Sequence, residues 1–263
     1  MNKVAASFLA HPDDCEFLCA GTLARLADLG WQIHIITATP GDAGSATERA
    51  IDIATTRRDE SRDAAAIIHA QYYCLEEFDG YVFHDRPTTQ KAVSLLRSIA
   101  PGIVFTHAHR DYMTDHESVS KIARIAAFMY SVPNTSTTRI QPGSVSPYLY
   151  YCEPLEGRDP LGQPVPPTTY IDIADVIGTK KQMLAAHKSQ RDWLRKHHHM
   201  DKYINTMQDH AARTGKSVGY KHAEAFVQDR GGGHPNDDIL AKLLDGKAPA
   251  TNDTSFTESQ FNG

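Results

Sequence analysis

The sequence has no paired cysteine pattern, no apolar run long enough to cross a membrane and no surplus of positive charge, and each absence removes a class of function. Four cysteines (Cys15, Cys19, Cys74, Cys152) stand at unrelated spacings, which argues against a disulfide framework or an all-cysteine zinc site and fits reduced thiols. Cys15 and Cys19 lie a helical turn apart, as packed small hydrophobes do. The start, Met1-Asn2-Lys3 followed by an apolar stretch ending at His11, is too short for a signal peptide or a membrane span, so a cytoplasmic chain with no membrane partner is expected. Lys and Arg number 27 against 32 Asp and Glu, a formal charge of −5. The positive charges are scattered, so no nucleic-acid partner is expected. Internal repeats and coiled-coil heptads are also missing. The 263 residues suffice for one sizeable core.

What the chain does have is an alternation of short apolar runs with amphipathic stretches, the order of βαβ units. Strands are expected at Val4 to Ala10, Trp31 to Ala38, Tyr72 to Leu75 and Ile103 to Thr106. Helices are expected at Glu16 to Leu29, Thr47 to His69 and Thr89 to Ile99. The second half is less regular: strands at Tyr148 to Cys152 and Tyr170 to Ile173, helices at Ile177 to His187 and Asp192 to Arg213, a short segment at Glu224 to Gln228, and a short helix around Asp238 to Leu244. The pattern predicts an α/β fold, an open and mainly parallel sheet with helices on both faces and an irregular C-terminal elaboration. In such sheets ligands collect beyond the C-terminal strand ends.

Two acid/histidine clusters sit at such ends. His11-Pro12-Asp13-Asp14 follows the first strand, and Asp111-Tyr112-Met113-Thr114-Asp115-His116 follows the fourth. Histidine and carboxylate are ordinary ligands of a divalent metal, and a hydrolytic site needs three of them with one position open for water. His11 and Asp14 supply two, and His116 a third from across the sheet opening. Adjacent carboxylates seldom bind one small ion, so Asp13 is cast as the general base; the competing use for Asp13 and Asp14 is to cap the first helix. Asp115 can accept a hydrogen bond from an imidazole or hold its loop. His107 and His109 read more readily as loop residues than as site residues. Arg57 and Asp42 are candidate substrate contacts, with bracing of the helix and surface as the stronger use. The basic stretch Arg191 to His199 reads as a solvated helix face.

His11-Pro12-Asp13-Asp14-Cys15-Glu16 with Gly21-Thr22-Leu23 resembles the AHPDDxE signature of the LmbE-like (PIG-L) N-acetyl-sugar deacetylases, and Asp115-His116 resembles their downstream Asp-His pair. The resemblance extends to Thr39-Pro40-Gly41-Asp42-Ala43-Gly44, to Arg57 and Glu60, and to His187-Lys188-Ser189-Gln190. It implies a Rossmann-like α/β fold and a deacetylase domain over residues 1–230; the polar composition of 231–263 predicts a short helix and a disordered tail after it. It also implies a zinc ion, with ferrous iron as the alternative, held by His11, Asp14 and His116. The implied reaction is hydrolysis of an N-acetyl group on a small amino sugar or sugar conjugate with Asp13 as base, and a homo-oligomer is left open. The chain departs at Met113, where many members carry a histidine that stabilises the oxyanion or protonates the leaving amine. Tyr112 and His109 are the nearest substitutes. Two alternatives follow: an amidase of a larger thiol-sugar or non-sugar conjugate, and a non-catalytic sugar-binding homologue. Glu224-Ala225-Phe226 resembles a further family segment and is expected to pack against the cleft.

Overall fold

A computed structural model describes residues 1–135, 138–140, 144–191 and 203–249. The strands are β1 (Val4–Leu9), β2 (Gln32–Thr37), β3 (Gln71–Cys74), β4 (Ile103–Thr106), β5 (Tyr148–Cys152), β6 (Thr169–Asp172) and β7 (Ala223–Gln228). The helices are α1 (Asp14–Leu18), α2 (Ala20–Asp28), α3 (Ala50–Ala66), α4 (Arg86–Ile99), α5 (Thr114–Met129), α6 (Ile177–Ala186), α7 (Tyr203–Lys216) and α8 (Ile239–Leu244). One seven-stranded sheet runs in the order β3-β2-β1-β4-β5-β7-β6. Strands β1 to β5 pair in parallel, and β7 lies antiparallel to both β5 and β6.

Both faces of the sheet are covered, which is why β1 and β4 read as nearly continuous apolar runs. Ala5 and Leu9 point into one layer with Leu23 and Leu26 of α2 and Met183 of α6. Ala6, Phe8 and Ala10 point into the other with Val93 and Leu96 of α4 and Val119 and Ile122 of α5. The chain winds from β1 outward through β2 and β3, then returns to place β4 on the other side of β1. The carboxyl ends of β1 and β4 therefore flank the topological switch point, where the loops diverge and leave a crevice. The expected mainly parallel α/β sheet is what forms. No described helix is long and apolar enough to cross a membrane.

Three local differences from the sequence reading have physical causes. The expected helix from Glu16 to Leu29 is broken at Cys19, whose φ of −147° lies outside the helical range. The N–H groups of Gly21 and Thr22, at the start of α2, donate to the two carboxylate oxygens of Glu224 (2.8 and 2.7 Å). Lys180 Nζ bridges Glu224 Oε1 (2.6 Å) and the carbonyl of Phe17 near the end of α1 (2.9 Å). A carboxylate at a helix N-terminus is favoured by the dipole, and here it holds the break together. Glu224 thus serves the helix junction rather than the cleft. Gly21 is required beside it, since a Cβ there would lie 2.8 Å from Ile173 Cγ2. Helix α3 begins at Ala50 rather than Thr47 because Ser45 Oγ takes the N–H groups of Thr47 and Glu48, a local turn that competes with helix. Helix α4 begins at Arg86 rather than Thr89, with Asp85 capping the N–H of Thr88 (2.9 Å) and Pro87 in the first turn.

The expected helix over 192–213 is seen from Tyr203 onward and continues to Lys216. Residues 192–202, with most of the basic stretch, and the tail from 250 lie outside the described residues. Before that tail, α8 buries Leu240 and Leu244 in the same layer as Leu23, and Tyr170 exchanges backbone hydrogen bonds with Lys247.

Candidate metal centre

The turn leaving β1 sends two neighbouring acids to different surroundings. Asp13 takes φ +96°, a conformation that aspartate tolerates better than most residues. Although it stands at the N-cap of α1, its side chain makes no capping hydrogen bond. Instead the Tyr203 hydroxyl of α7 donates to Asp13 Oδ2 (2.5 Å), and Arg57 Nη2 lies 3.7 Å from Oδ1. Burial raises the Asp13 pKa, against the opposing charge of Arg57. Asp14 turns back to accept the N–H of His11 at Oδ2 (2.7 Å) and faces three imidazoles. Burial works against its charge, but His116 and His107 hold its pKa well below the usual carboxylate range.

His11 and His116 meet different oxygens of the Asp14 carboxylate, with ring centroids 5.4 Å apart. His11 Nδ1 lies 3.3 Å from Asp14 Oδ2, while its Nε2 lies 3.2 Å from Asp79 Oδ1 and 3.4 Å from Asp115 Oδ2. Two acceptors around Nε2 place the hydrogen there and aim Nδ1 at Asp14. His116, in the first turn of α5, is set the same way: Nδ1 pairs with Asp111 Oδ1 (2.9 Å), and Nε2 lies 3.5 Å from Asp14 Oδ1. Each imidazole therefore has one nitrogen held by carboxylate and the other directed at a common point, the arrangement that orients metal-binding histidines. Ligand atoms of His11, Asp14 and His116 lie within 4.8 Å of one another.

The chemistry of this donor set fits a divalent cation. Burial lowers the pKa of both histidines, yet the surrounding carboxylates (Asp115, Asp14 and Asp79 for His11; Asp14 and Asp111 for His116) outweigh it and raise both. The cluster thus carries a surplus of negative charge that imidazolium protons or one divalent cation can balance. Two nitrogens and one carboxylate are also the ligand types of hydrolytic zinc sites. The sets His107/Asp111/His116 and His11/Asp79/Asp115 meet the same distance limit, but in them the carboxylates occupy the nitrogens that orient the rings.

Asp115 finds its partner in His11. It also accepts the N–H groups of Gly80 (2.7 Å) and Val82 (3.2 Å), so it both orients an imidazole and pins the loop after β3. His107 is not an incidental loop residue. It is fully buried, accepts the N–H of Ala10 at Nε2 (2.9 Å) and stacks on His116 with ring centroids 3.9 Å apart. Burial drives its pKa down to about 4, so it supports the site as a neutral ring. Tyr112 meets His116 edge to face, with ring centroids 5.3 Å apart, and its side chain is largely exposed. His109 is exposed and rests on Tyr151 and Ser120, with no contact to His11, Asp14 or His116.

Arg57 is buried, and its guanidinium donates to the carbonyls of Pro12 (2.8 Å) and Gly41 (3.2 Å). It braces the loops after β1 and β2, the stronger of its two expected uses. Gly41, at φ +71°, has to be glycine, since a Cβ would lie 2.3 Å from Arg57 Nη1. Asp42 accepts the N–H of Asp79 (2.9 Å). The more distant sequence signals also converge: His187 Nε2 lies 3.4 Å from Glu16 Oε2, and Ser189 donates through N–H and hydroxyl to Glu60 (2.8 and 2.6 Å). Sequence reasoning missed Asp79, Asp111 as a partner of His116, His107 and Tyr203. Asp79 was findable, since the loop after β3 is another C-terminal strand end.

Residues 7–127 match the family profile described as PIG-L: GlcNAc-PI de-N-acetylase. The diacetylchitobiose deacetylase of Thermococcus kodakarensis is 23% identical over 232 residues, covering 82% of this chain and 79% of that protein. The 4-oxalmesaconate hydratase of Pseudomonas putida is 22% identical over 240 residues, covering 87% and 88%. The solved N,N'-diacetylchitobiose deacetylase of Pyrococcus horikoshii superposes with a TM-score of 0.72 at 22% identity, covering 86% of this chain and 83% of that one. His11, Asp13, Asp14 and Asp115-His116 all lie inside the span, residues 7–127, that matches the PIG-L family profile.

Proposed function

We propose that this chain is a zinc-dependent hydrolase that removes an N-acetyl group from an amino sugar or sugar conjugate, with zinc held by His11, Asp14 and His116. The observation that carries the reading is the division of labour in one turn: Asp14 faces the oriented imidazoles while Asp13 is held apart by Tyr203 and Arg57. A divalent cation in such a donor set supplies Lewis acidity, lowering the pKa of water and polarising an amide carbonyl. Asp13 takes the proton from the attacking water. Its buried carboxylate, with its pKa raised mainly by desolvation, is the stronger base for it. The hydroxyl of Tyr112, whose ring meets that of His116 edge to face, donates to the carbonyl oxygen as negative charge develops there. Asp13 then returns its proton to the departing amine, a task that the thioether of Met113 cannot share. Asp115 acts through His11 and keeps that ring in register.

The test is acetate release from N-acetylglucosamine and its short oligomers by zinc-loaded protein. Turnover lost in Asp13→Asn with zinc retained supports the reading. Full activity in that variant refutes the base assignment, and no release from any acetylated sugar or thiol conjugate refutes the hydrolase. A second reading, hydration of a carbon–carbon double bond in a small unsaturated acid, is favoured by Met113 and by the similarity to the hydratase. Water addition has no leaving amine, so it does not need the histidine that Met113 replaces. Loss of ultraviolet absorbance from a conjugated diacid, with no acetate released from sugars, would select it.

A further inference from the structure

The loop between β3 and α4 exposes three aromatic side chains within six residues: Phe78 (72%), Tyr81 (69%) and Phe83 (63%). This exposure does not come from a loose loop. Glu77 N–H donates to Ala38 O (2.9 Å), Asp79 N–H to Asp42, and Gly80 and Val82 N–H to Asp115. Leu75 and Val82 are buried beneath. A segment held at so many points yet presenting its apolar rings to solvent is preorganised for a ligand, because ordering the side chains costs little on binding. The rings border a cavity of about 610 Å³ that Asp42, Glu77 and Asp79 also line, within the roughly 300–1,000 Å³ of small-molecule sites. Asp79 lines the cavity and also faces His11 of the candidate metal centre (3.2 Å), so the two adjoin at this residue.

Aromatic faces beside carboxylates suit one chemistry well. The C–H faces of a pyranose stack on the rings while its hydroxyls donate to the acids; Glu77 is paired with Lys91 (2.6 Å), and the remaining carboxylates, Asp42 and Asp79, disfavour an anionic ligand. We propose that Phe78, Tyr81 and Phe83, with Asp42 and Glu77, form a subsite for a neutral saccharide ring joined to the one that carries the N-acetyl group, so that the substrate is a disaccharide or longer. This inference rests on the deacetylase reading for the role of the neighbouring ring, but the subsite can be tested by binding alone.

The experiment compares N-acetylglucosamine, N,N'-diacetylchitobiose and p-nitrophenyl N-acetylglucosaminide by calorimetric titration into zinc-loaded Asp13→Asn protein, and by kcat/KM in the wild type. Both are repeated in a Phe78→Ala/Tyr81→Ala/Phe83→Ala background whose zinc content and Tm are checked. The expected result is disaccharide binding at least about tenfold tighter than monosaccharide, with this ratio falling toward one in the triple background. Equal binding of mono- and disaccharide, or a ratio that survives the triple substitution, overturns the subsite. An advantage for the aryl glycoside alone overturns the saccharide assignment in favour of an apolar aglycone. A change of sedimentation coefficient without a change in the ratio assigns the rings to a contact between copies of the chain. Disaccharide selectivity in binding without acetate release from any substrate upholds the subsite and refutes the deacetylase instead.

Discussion

The two halves of the sheet divide the labour of the site. Among the described residues, every candidate ligand, the proposed base and each carboxylate that orients these imidazoles come from residues 11–116, on the loops and first helical turns that follow parallel strands β1, β3 and β4. Among the described residues, the later, partly antiparallel half contributes none of these. It supplies supports: Tyr203 on Asp13, His187 beside Glu16, Ser189 on Glu60, and the Lys180–Glu224 pair that closes the break between α1 and α2. The difference teaches that composition of the site and its precision are set by separate stretches of chain. The family match, which ends at residue 127, covers the first and leaves out the second.

The sharpest way to break this comparison is within the first half. Asp13→Asn should lower acetate release by about 10²–10⁴-fold, the usual contribution of a general base, with zinc stoichiometry unchanged. His116→Ala should lose both zinc and turnover, as metal analysis alongside the assay would reveal. If both variants lost metal equally, the separate roles of the two acids in the turn would collapse.

In the second half the largest effect should fall on stability. Lys180 and Glu224 are both fully buried, and removing one partner of such a pair typically costs about 3–5 kcal/mol. Lys180→Met should therefore lower the urea midpoint strongly. A shift of only a few tenths of a kcal/mol would mean that the two N–H groups of α2 suffice to hold Glu224.

Tyr203→Phe tests the link between the halves. It deletes one hydrogen bond to a carboxylate, worth about 1.5–3 kcal/mol, and should reduce kcat roughly tenfold or more by that measure while leaving KM and zinc affinity near wild type. A KM effect with kcat intact would place Tyr203 on the substrate rather than on Asp13.

The smallest effect is a pH dependence seated in α7. His210 is buried, accepts a hydrogen bond from Arg213 (2.7 Å), and is pushed down to about 3 from an ordinary 6.5 by desolvation and then by the charges of Lys180 and Arg213. Between those values the unfolded chain binds a proton that the folded chain refuses. Its contribution is thus lost as pH falls below about 6.5. The drop in Tm from pH 7 to pH 5 should be shallower in His210→Gln, and an unchanged slope would remove His210 from the account.

What could be read from the sequence follows the same division. His11, Asp14 and His116 were legible because apolar strands ending in acid and histidine fix both their position and their chemistry. The parallel order of β1 to β4 was legible from periodicity. Tyr203 was not, because it meets Asp13 across 190 positions of sequence and nothing in a helical Tyr-Ile-Asn-Thr stretch marks it. Asp79 sits in a loop without periodicity, and its role appears only once β3 is placed beside β2. The break at Cys19 was hidden because its cause, Glu224, lies on a strand some two hundred residues away. Arg57 shows the converse: bracing is already the stronger reading of this residue in the sequence, and its guanidinium serves two backbone carbonyls.

Anomalous diffraction at the zinc absorption edge, on crystals of zinc-loaded protein, tests the central claim most directly. One strong peak within bonding distance of His11, Asp14 and His116, with Asp13 outside that distance, is the predicted result. A peak bound elsewhere, or one that takes Asp13 as a ligand in place of Asp14, would contradict it.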